Sequence, residues 1–295
     1  MNTPLPNAIL SNMSEPDVAA TGEHVKGEIA QQFSQCAARY DNCALVQQKI
    51  AQWAMSQVSL SMSNNKVTTA VDLGCATGKH TAALQQFATI VVGLDIAPGM
   101  LKFAQQTSKD GLNWLTADME NMPLAAGSID LLYSNMAMQW VSDTDRFARE
   151  VDRVLSKSGI AVLVTMLDGS FAELNQAFAS ISGEPLSNKF HSVSQWRDSF
   201  VSTDLNLQIM RKTFIDWHSD MSGLMHSITD IGASTNTSHR DQNALTPSRY
   251  KLLRKYYQKN LAVNQQLPLS YDIGMFVLTK NSSSHSAENI TLLRS

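Results

Sequence analysis

The chain has 295 residues with 23 basic and 26 acidic side chains, a formal net charge of −3. That balance excludes a general nucleic-acid binder, which needs a broad surplus of Lys and Arg to neutralise phosphates. With 43% hydrophobic and 17% charged residues the composition is that of an ordinary globular protein. No run approaches the roughly 20 apolar residues of a bilayer span, so neither a nucleic acid nor a membrane is expected as partner.

The first 22 residues lack the basic start, apolar middle and cleavage site of a secretory signal and read as a disordered polar tail. Cys36, Cys43 and Cys75 are an odd number without metal-ligand spacing, which points to a reducing cytoplasm. From about Lys26, apolar residues Ile29, Phe33, Cys36, Ala37, Tyr40 and Ala44 recur at helical spacing, predicting an amphipathic helix. Strand-like runs follow at Thr69 to Leu73, Ile90 to Asp95, Asn113 to Ala117, Ile129 to Ser134 and Ile160 to Met166. A helical stretch from Asp143 to Ser158 buries Phe147, Val151, Val154 and Leu155, with Gly159 placed to end it. This alternation predicts an α/β fold, a doubly wound and mostly parallel sheet.

After Leu167 the rhythm changes. A helix from Phe171 to Ile181 and a loop-like Ser182 to Ser192 suggest one helical cap insertion, at about 170–200, and a second at about 219–270. Leu207 to Trp217 and Met275 to Thr279 are further strand candidates, and residues 281–295 read as a polar tail, leaving one domain over 23–280.

Chemistry concentrates at strand ends. Val71-Asp72-Leu73-Gly74-Cys75-Ala76-Thr77-Gly78 closes the first strand, and its small residues at 74, 76 and 78 let a ligand approach the backbone at the start of an expected helix. Asp95 ends the second strand, where its carboxylate can accept both hydroxyls of a ribose. Asp118 follows the third and can accept from an adenine amino group. Each piece alone also fits a tight turn or a helix cap; the ordered set describes an adenosine site. A dinucleotide fingerprint would place another glycine at position 79, where Lys79 stands. The histidines show no ligand spacing, so no metal is expected.

Over residues 66 to 167 the chain resembles the class I S-adenosylmethionine-dependent methyltransferases, through Asp72 to Gly78, Leu94-Asp95-Ile96-Ala97-Pro98-Gly99-Met100 and Ala117-Asp118-Met119-Glu120. The resemblance implies S-adenosyl-L-methionine as cofactor, with Asp72, Gly74, Ala76, Gly78, Asp95, Ile96, Met100, Asp118, Met119 and Asn135 around it. Ala76 stands where that family usually has Gly. A wider resemblance is to the malonyl-[acyl-carrier protein] O-methyltransferases that start biotin synthesis. Its bases are a helix carrying Phe33, Tyr40, Asp41 and Gln47, then Ser134-Asn135-Met136-Ala137-Met138-Gln139-Trp140, and then Ile231 to Thr235, Leu245 to Ser248 and Pro268 to Tyr271. Lys189-Phe190 departs from the Arg-Phe expected there.

That resemblance implies a malonyl thioester on acyl carrier protein, or malonyl-coenzyme A, as acceptor, and a monomeric enzyme. Tyr40 is the expected closing residue, with Gln139, Trp140 and Lys189 on the acceptor side; the plain alternatives are core for Tyr40 and Trp140 and solvated surface for Lys189. The segment Arg249 to Lys259 holds five basic residues and no acid. Lys251, Arg254, Lys255 and Lys259 share a helical face there, suited to docking an acidic carrier, although a plain solvated face has the same pattern. Another small-molecule methyltransferase, acting on a quinone precursor or free organic acid, and a non-catalytic adenosine-ligand-binding protein remain the alternatives.

Overall fold

The computed structural model describes residues 22–40, 45–62, 66–108, 111–182, 190–230, 246–280 and 291–294. Two helices come first, α1 (Gly22–Tyr40) and α2 (Leu45–Ser61). The helix expected to carry Phe33, Tyr40 and Gln47 together is therefore two, with Gln47 on the second. The strands are β1 (Val67–Leu73), β2 (Ala88–Asp95), β3 (Leu112–Thr116), β4 (Ile129–Asn135), β5 (Leu155–Met166), β6 (Leu205–His218), β7 (Leu267–Lys280) and β8 (Thr291–Arg294). Between them run α3 (Pro98–Thr107), α4 (Thr144–Val154), α5 (Ala172–Ser182), α6 (Val193–Val201), α7 (Met221–Asp230) and α8 (Pro247–Asn260).

One sheet orders these strands β3-β2-β1-β4-β5-β7-β6-β8. β1 to β5 are mutually parallel, and β7 runs antiparallel to both neighbours. Because β1 pairs with both β2 and β4, the winding reverses beside it, and a crevice opens at the carboxyl ends of these strands.

Alternation along the central strands assigns the two faces. Ala70, Val91, Leu131, Tyr133, Val162 and Met275 belong to the core under α2, α5, α7 and α8. Their neighbours Val71, Val92, Leu132, Ala161 and Phe276 belong to the core under α4 and α6. Helix α4 forms because Phe147, Ala148, Val151 and Val154 make one buried stripe, while the Asp143 side chain caps its start by accepting from Arg146 N at 2.8 Å.

Four elements differ from expectation. Helix α4 stops at Val154, and residues 155–158 already belong to β5. Gly159 serves a register shift between β4 and β5 instead: a Cβ there would lie 2.7 Å from the Ile129 carbonyl oxygen. The α-helix expected after the small-residue loop is a 3₁₀ turn, Thr81–Gln86, so no α-helix N-terminus faces the ligand side there. Finally β7 begins at Leu267, well before Met275, and Thr291–Arg294 pair in parallel with β6 where a polar tail is expected. The tail at 1–21 lies outside the described residues.

Candidate active site

The crevice beside β1 holds a cleft that encloses about 670 Å³ of open space. Its floor is the carboxyl edge of the sheet, with Gly74, Ala76, Leu94, Asp95, Ile96, Ala117, Asp118 and Met119; Met100 on α3 and Met136, Ala137 and Trp140 after β4 wall it, and Lys26, Ile29 and Phe33 of α1 cover it.

Glycine is required at position 74, where φ is +67° and a Cβ would fall 2.2 Å from the Ala137 Cβ. Ala76 also sits at positive φ, +47°. Its N–H donates to Asp95 Oδ2 at 2.9 Å, while Asp95 Oδ1 accepts from Ala97 N at 2.8 Å. The loop is thus tied to the end of β2 through the Asp95 carboxylate. Burial raises the Asp95 pKa, against the lowering effect of these backbone donors.

Asp118 accepts from Glu120 N at 2.9 Å through Oδ1 and from Lys26 Nζ at 2.6 Å through Oδ2. Lys26 also reaches the nearly buried Glu120 at 2.9 Å, and Glu120 accepts from Ser142 N at 2.7 Å. Phe33 meets Trp140 edge-on, centroids 5.7 Å apart, and Gly99 N donates to Ser34 Oγ at 3.1 Å. Helix α1 is therefore fastened over the cleft by charge, aromatic contact and a backbone hydrogen bond.

A second, polar cleft of about 620 Å³ adjoins the first through Gly74, Ala76 and Met136, and is lined also by Asp72, Asn135, Tyr133, Gln47, Lys79 and His80. Asp72 accepts from Thr81 Oγ1 at 2.6 Å, and burial, reinforced by the nearby Asp95, pushes its carboxyl up to about 7 despite that bond. The Tyr133 hydroxyl and Asn135 Oδ1 are buried and have no protein partner among the described residues. Buried polar groups are nearly always satisfied, so these two fit a polar ligand end lodged against β4.

Of the expected site residues, Ile96, Met100, Asp95, Asp118, Met119 and Trp140 line the first cleft, Asp72 and Asn135 the second, and Gly74 and Ala76 both. Gly78 lines neither. A Cβ there would meet the Trp114 ring at 2.3 Å, so its role is packing. Gln139 also stays out of both clefts: its Nε2 donates to the Met136 carbonyl at 2.7 Å and its Oε1 accepts from Thr165 Oγ1 at 3.3 Å. It holds the turn at Met136, whose φ is +58°. The Tyr40 side chain and Lys189 lie outside the described residues. Among the described residues no cluster of His, Cys, Asp or Glu could hold a metal, and no helix is long and apolar enough to cross a membrane.

A methyltransferase domain family matches residues 71–163, the stretch containing the loop, Asp95 and Asp118. A malonyl-[acyl-carrier protein] O-methyltransferase of Hahella chejuensis is 31% identical over 258 residues, covering 86% of this chain and 91% of that protein. The chain belongs to the malonyl-[acyl-carrier protein] O-methyltransferase family. A biotin biosynthesis bifunctional protein of Cellvibrio japonicus is 27% identical over 86% of this chain but only 50% of its own length, so the whole family unit there is one part of a longer protein. Among solved structures, the YcgJ protein of Bacillus subtilis superposes with a TM-score of 0.57 at 16% identity, covering 79% of this chain and all of that one. That likeness bears on the fold alone.

Sequence reasoning missed Lys26 and Glu120 as partners and Tyr133 as a cleft residue. A lysine at the start of an amphipathic helix carries no local signal of its distant carboxylates. Tyr133 reads as one more apolar position of a buried strand.

Proposed function

We propose that this chain is a cytoplasmic, monomeric S-adenosylmethionine-dependent O-methyltransferase that esterifies the free carboxylate of a malonyl thioester on acyl carrier protein, an early step of biotin synthesis. The observation that carries the reading is the pair of joined clefts: Asp95 and Asp118 stand at successive strand ends in one, and unpartnered polar groups stand in the other.

The residues present fit the cofactor. Asp95 would hold the ribose hydroxyls and Asp118 the adenine amino group, with Ile96 and Met119 on the cleft wall beside them. Gly74, which lines both clefts, lets the loop close on Ala137, and Asp72, Tyr133 and Asn135 would supply polar contacts for the methionine end. When bound, the cofactor supplies an electrophilic methyl group on a sulfonium.

The chain needs no general base, because a malonyl carboxylate is already ionised at neutral pH. Its task is to align that carboxylate with the methyl group and to strip the water that would stabilise the free anion. Phe33, Met136, Ala137 and Trp140 give the cleft an apolar wall suited to excluding water. The family resemblance implies Tyr40 and Lys189 on the acceptor side, and Trp140 lines the first cleft.

The test is incubation of the purified chain with methyl-labelled S-adenosylmethionine and malonyl-acyl carrier protein. A base-labile methyl ester on the carrier is the expected product. Label transferred only to a quinone precursor or a free organic acid would replace this acceptor with another, and cofactor binding without transfer to any acceptor would make the chain a binding protein.

A further inference from the structure

Helix α8 is amphipathic in charge as well as in packing. Leu253 and Tyr257 are fully buried, and the Tyr257 hydroxyl donates to the Pro268 carbonyl at 3.0 Å, fixing the helix against the start of β7. Facing outward are Lys251, Leu252, Arg254, Lys255 and Lys259, all exposed. Lys251, Lys255 and Lys259 follow one another at intervals of four, so they form a single row, with Arg254 beside it.

The topology ties α8 to the reactive edge of the sheet through the start of β7. β7 is antiparallel to β5, and its Ile273 pairs with Met166, the last residue of β5. Residues 267–272 therefore project past the carboxyl end of β5, beyond the edge at which Gly74, Asp95 and Asn135 line their clefts. Helix α8 is joined to that projection through residues 261–266, and its Tyr257 is bonded to Pro268 within it.

We infer that the exposed face of α8 is the docking surface for an acidic carrier protein, which it orients so that the carrier's thioester arm can enter the neighbouring cleft. The inference rests on the proposed function for the identity of the carrier. Two observations favour a protein partner. Leu252, 53% exposed, lies beside the basic row, so the face offers an apolar contact next to its charges, as a protein interface does. The chain as a whole is net acidic at −3, whereas Arg249 to Lys259 holds five basic residues and no acid, a local concentration shorter than the basic track a nucleic acid would require. A local patch of one sign steers an oppositely charged partner and raises its association rate.

The experiment compares the parent with a triple reversal, Lys251→Glu, Arg254→Glu and Lys255→Glu, and with a Leu252→Ser variant. All three positions of the reversal are exposed and none lines a cleft. Binding of malonyl-acyl carrier protein, measured directly by calorimetry, should weaken by about tenfold or more in the reversal, and raising salt should weaken the parent much more than the reversal. In turnover assays the Michaelis constant should rise for malonyl-acyl carrier protein and stay within about twofold for malonyl-coenzyme A, which lacks the protein surface. Unchanged carrier binding in the reversal overturns the inference, as does equal loss with both acceptors or tighter binding of RNA or anionic vesicles than of the carrier. Charge-dependent carrier binding by a chain that methylates neither acceptor would instead uphold the docking surface and overturn the proposed reaction.

Discussion

Ala76 is where a single side chain departs from what its backbone favours. It occupies the left-handed region at φ +47° in a loop whose neighbours on either side, Gly74 and Gly78, also have positive φ. An L-residue with a Cβ pays roughly 1–2 kcal/mol for that conformation, while glycine would lose about 0.5–1 kcal/mol to the greater freedom of the unfolded chain. The difference favours glycine, so Ala76→Gly should stabilise the protein by about 0.5–1 kcal/mol. Cofactor affinity should change by less than about threefold, because the bond from residue 76 to Asp95 is made by backbone and survives the substitution. Urea denaturation with an upward-shifted midpoint and unchanged slope would bear this out; a lower midpoint would show that the Cβ contributes packing that outweighs the strain. The departure from Gly was legible in the sequence because it interrupts a short contiguous motif. The compensating tie to Asp95 was not, since it links two strand ends 19 residues apart.

At the scale of elements, the adenosine half of the site could be read because parallel strands end on the same edge, so that a carboxylate after each falls into one cleft. The cover could not. Helix α1 shows an apolar stripe in sequence, but what it lies over is decided by Lys26, which reaches Asp118 and Glu120 more than ninety positions away. Lys26 has two opposed effects on cofactor binding: it occupies an Asp118 oxygen that the adenine amino group would use, and it fastens the cover. Glu120 decides between them. Its side chain is 3% exposed, and a hydrogen bond to a charged group at such a site contributes about 1.5–3 kcal/mol, whereas the more exposed Asp118 oxygen has a second lone pair to share. Lys26→Met should therefore loosen the cover and speed cofactor release by about tenfold, with a smaller change in the association rate. Stopped-flow displacement measures both rates. Slower release would mean that competition at Asp118 outweighs the latch. The 3₁₀ turn after β1 was illegible for a similar reason: Thr81 is held by the buried Asp72, a long-range demand that local helix propensity does not contain.

For the molecule as a whole, the site and the stability of the fold are coupled through Asp72. Folding buries this carboxyl beside β4 and lifts its pKa from 3.8 to about 7, chiefly by desolvation. Between those values the folded chain binds more protons than the unfolded one, so unfolding releases protons and stability falls as pH rises. The contribution is fully present below about pH 4 and is lost as pH climbs through 7, an effect on the order of a few kcal/mol. Asp95, also raised by burial, acts in the same direction. A cofactor bearing a net positive charge reverses the demand on Asp72, because the ionised carboxylate faces a cation and is the better partner for it. Binding should then expel the proton, and the cofactor should bind more tightly as pH rises through the titration of Asp72. Since a ligand of the native state adds stability according to its concentration relative to its dissociation constant, the rise in melting temperature produced by a fixed concentration of S-adenosylmethionine should be larger at pH 8 than at pH 5.5. Asp72→Asn keeps an acceptor for Thr81 but removes the titrating group. In that variant the cofactor-free protein should lose less stability between pH 5.5 and pH 8 than the parent does, and the cofactor-induced shift should depend less on pH than in the parent. Thermal melts of both proteins at the two pH values, with and without cofactor, make the comparison. A parent and variant with the same pH slopes would mean that Asp72 is already ionised when the chain folds, leaving the cleft charged before any ligand arrives.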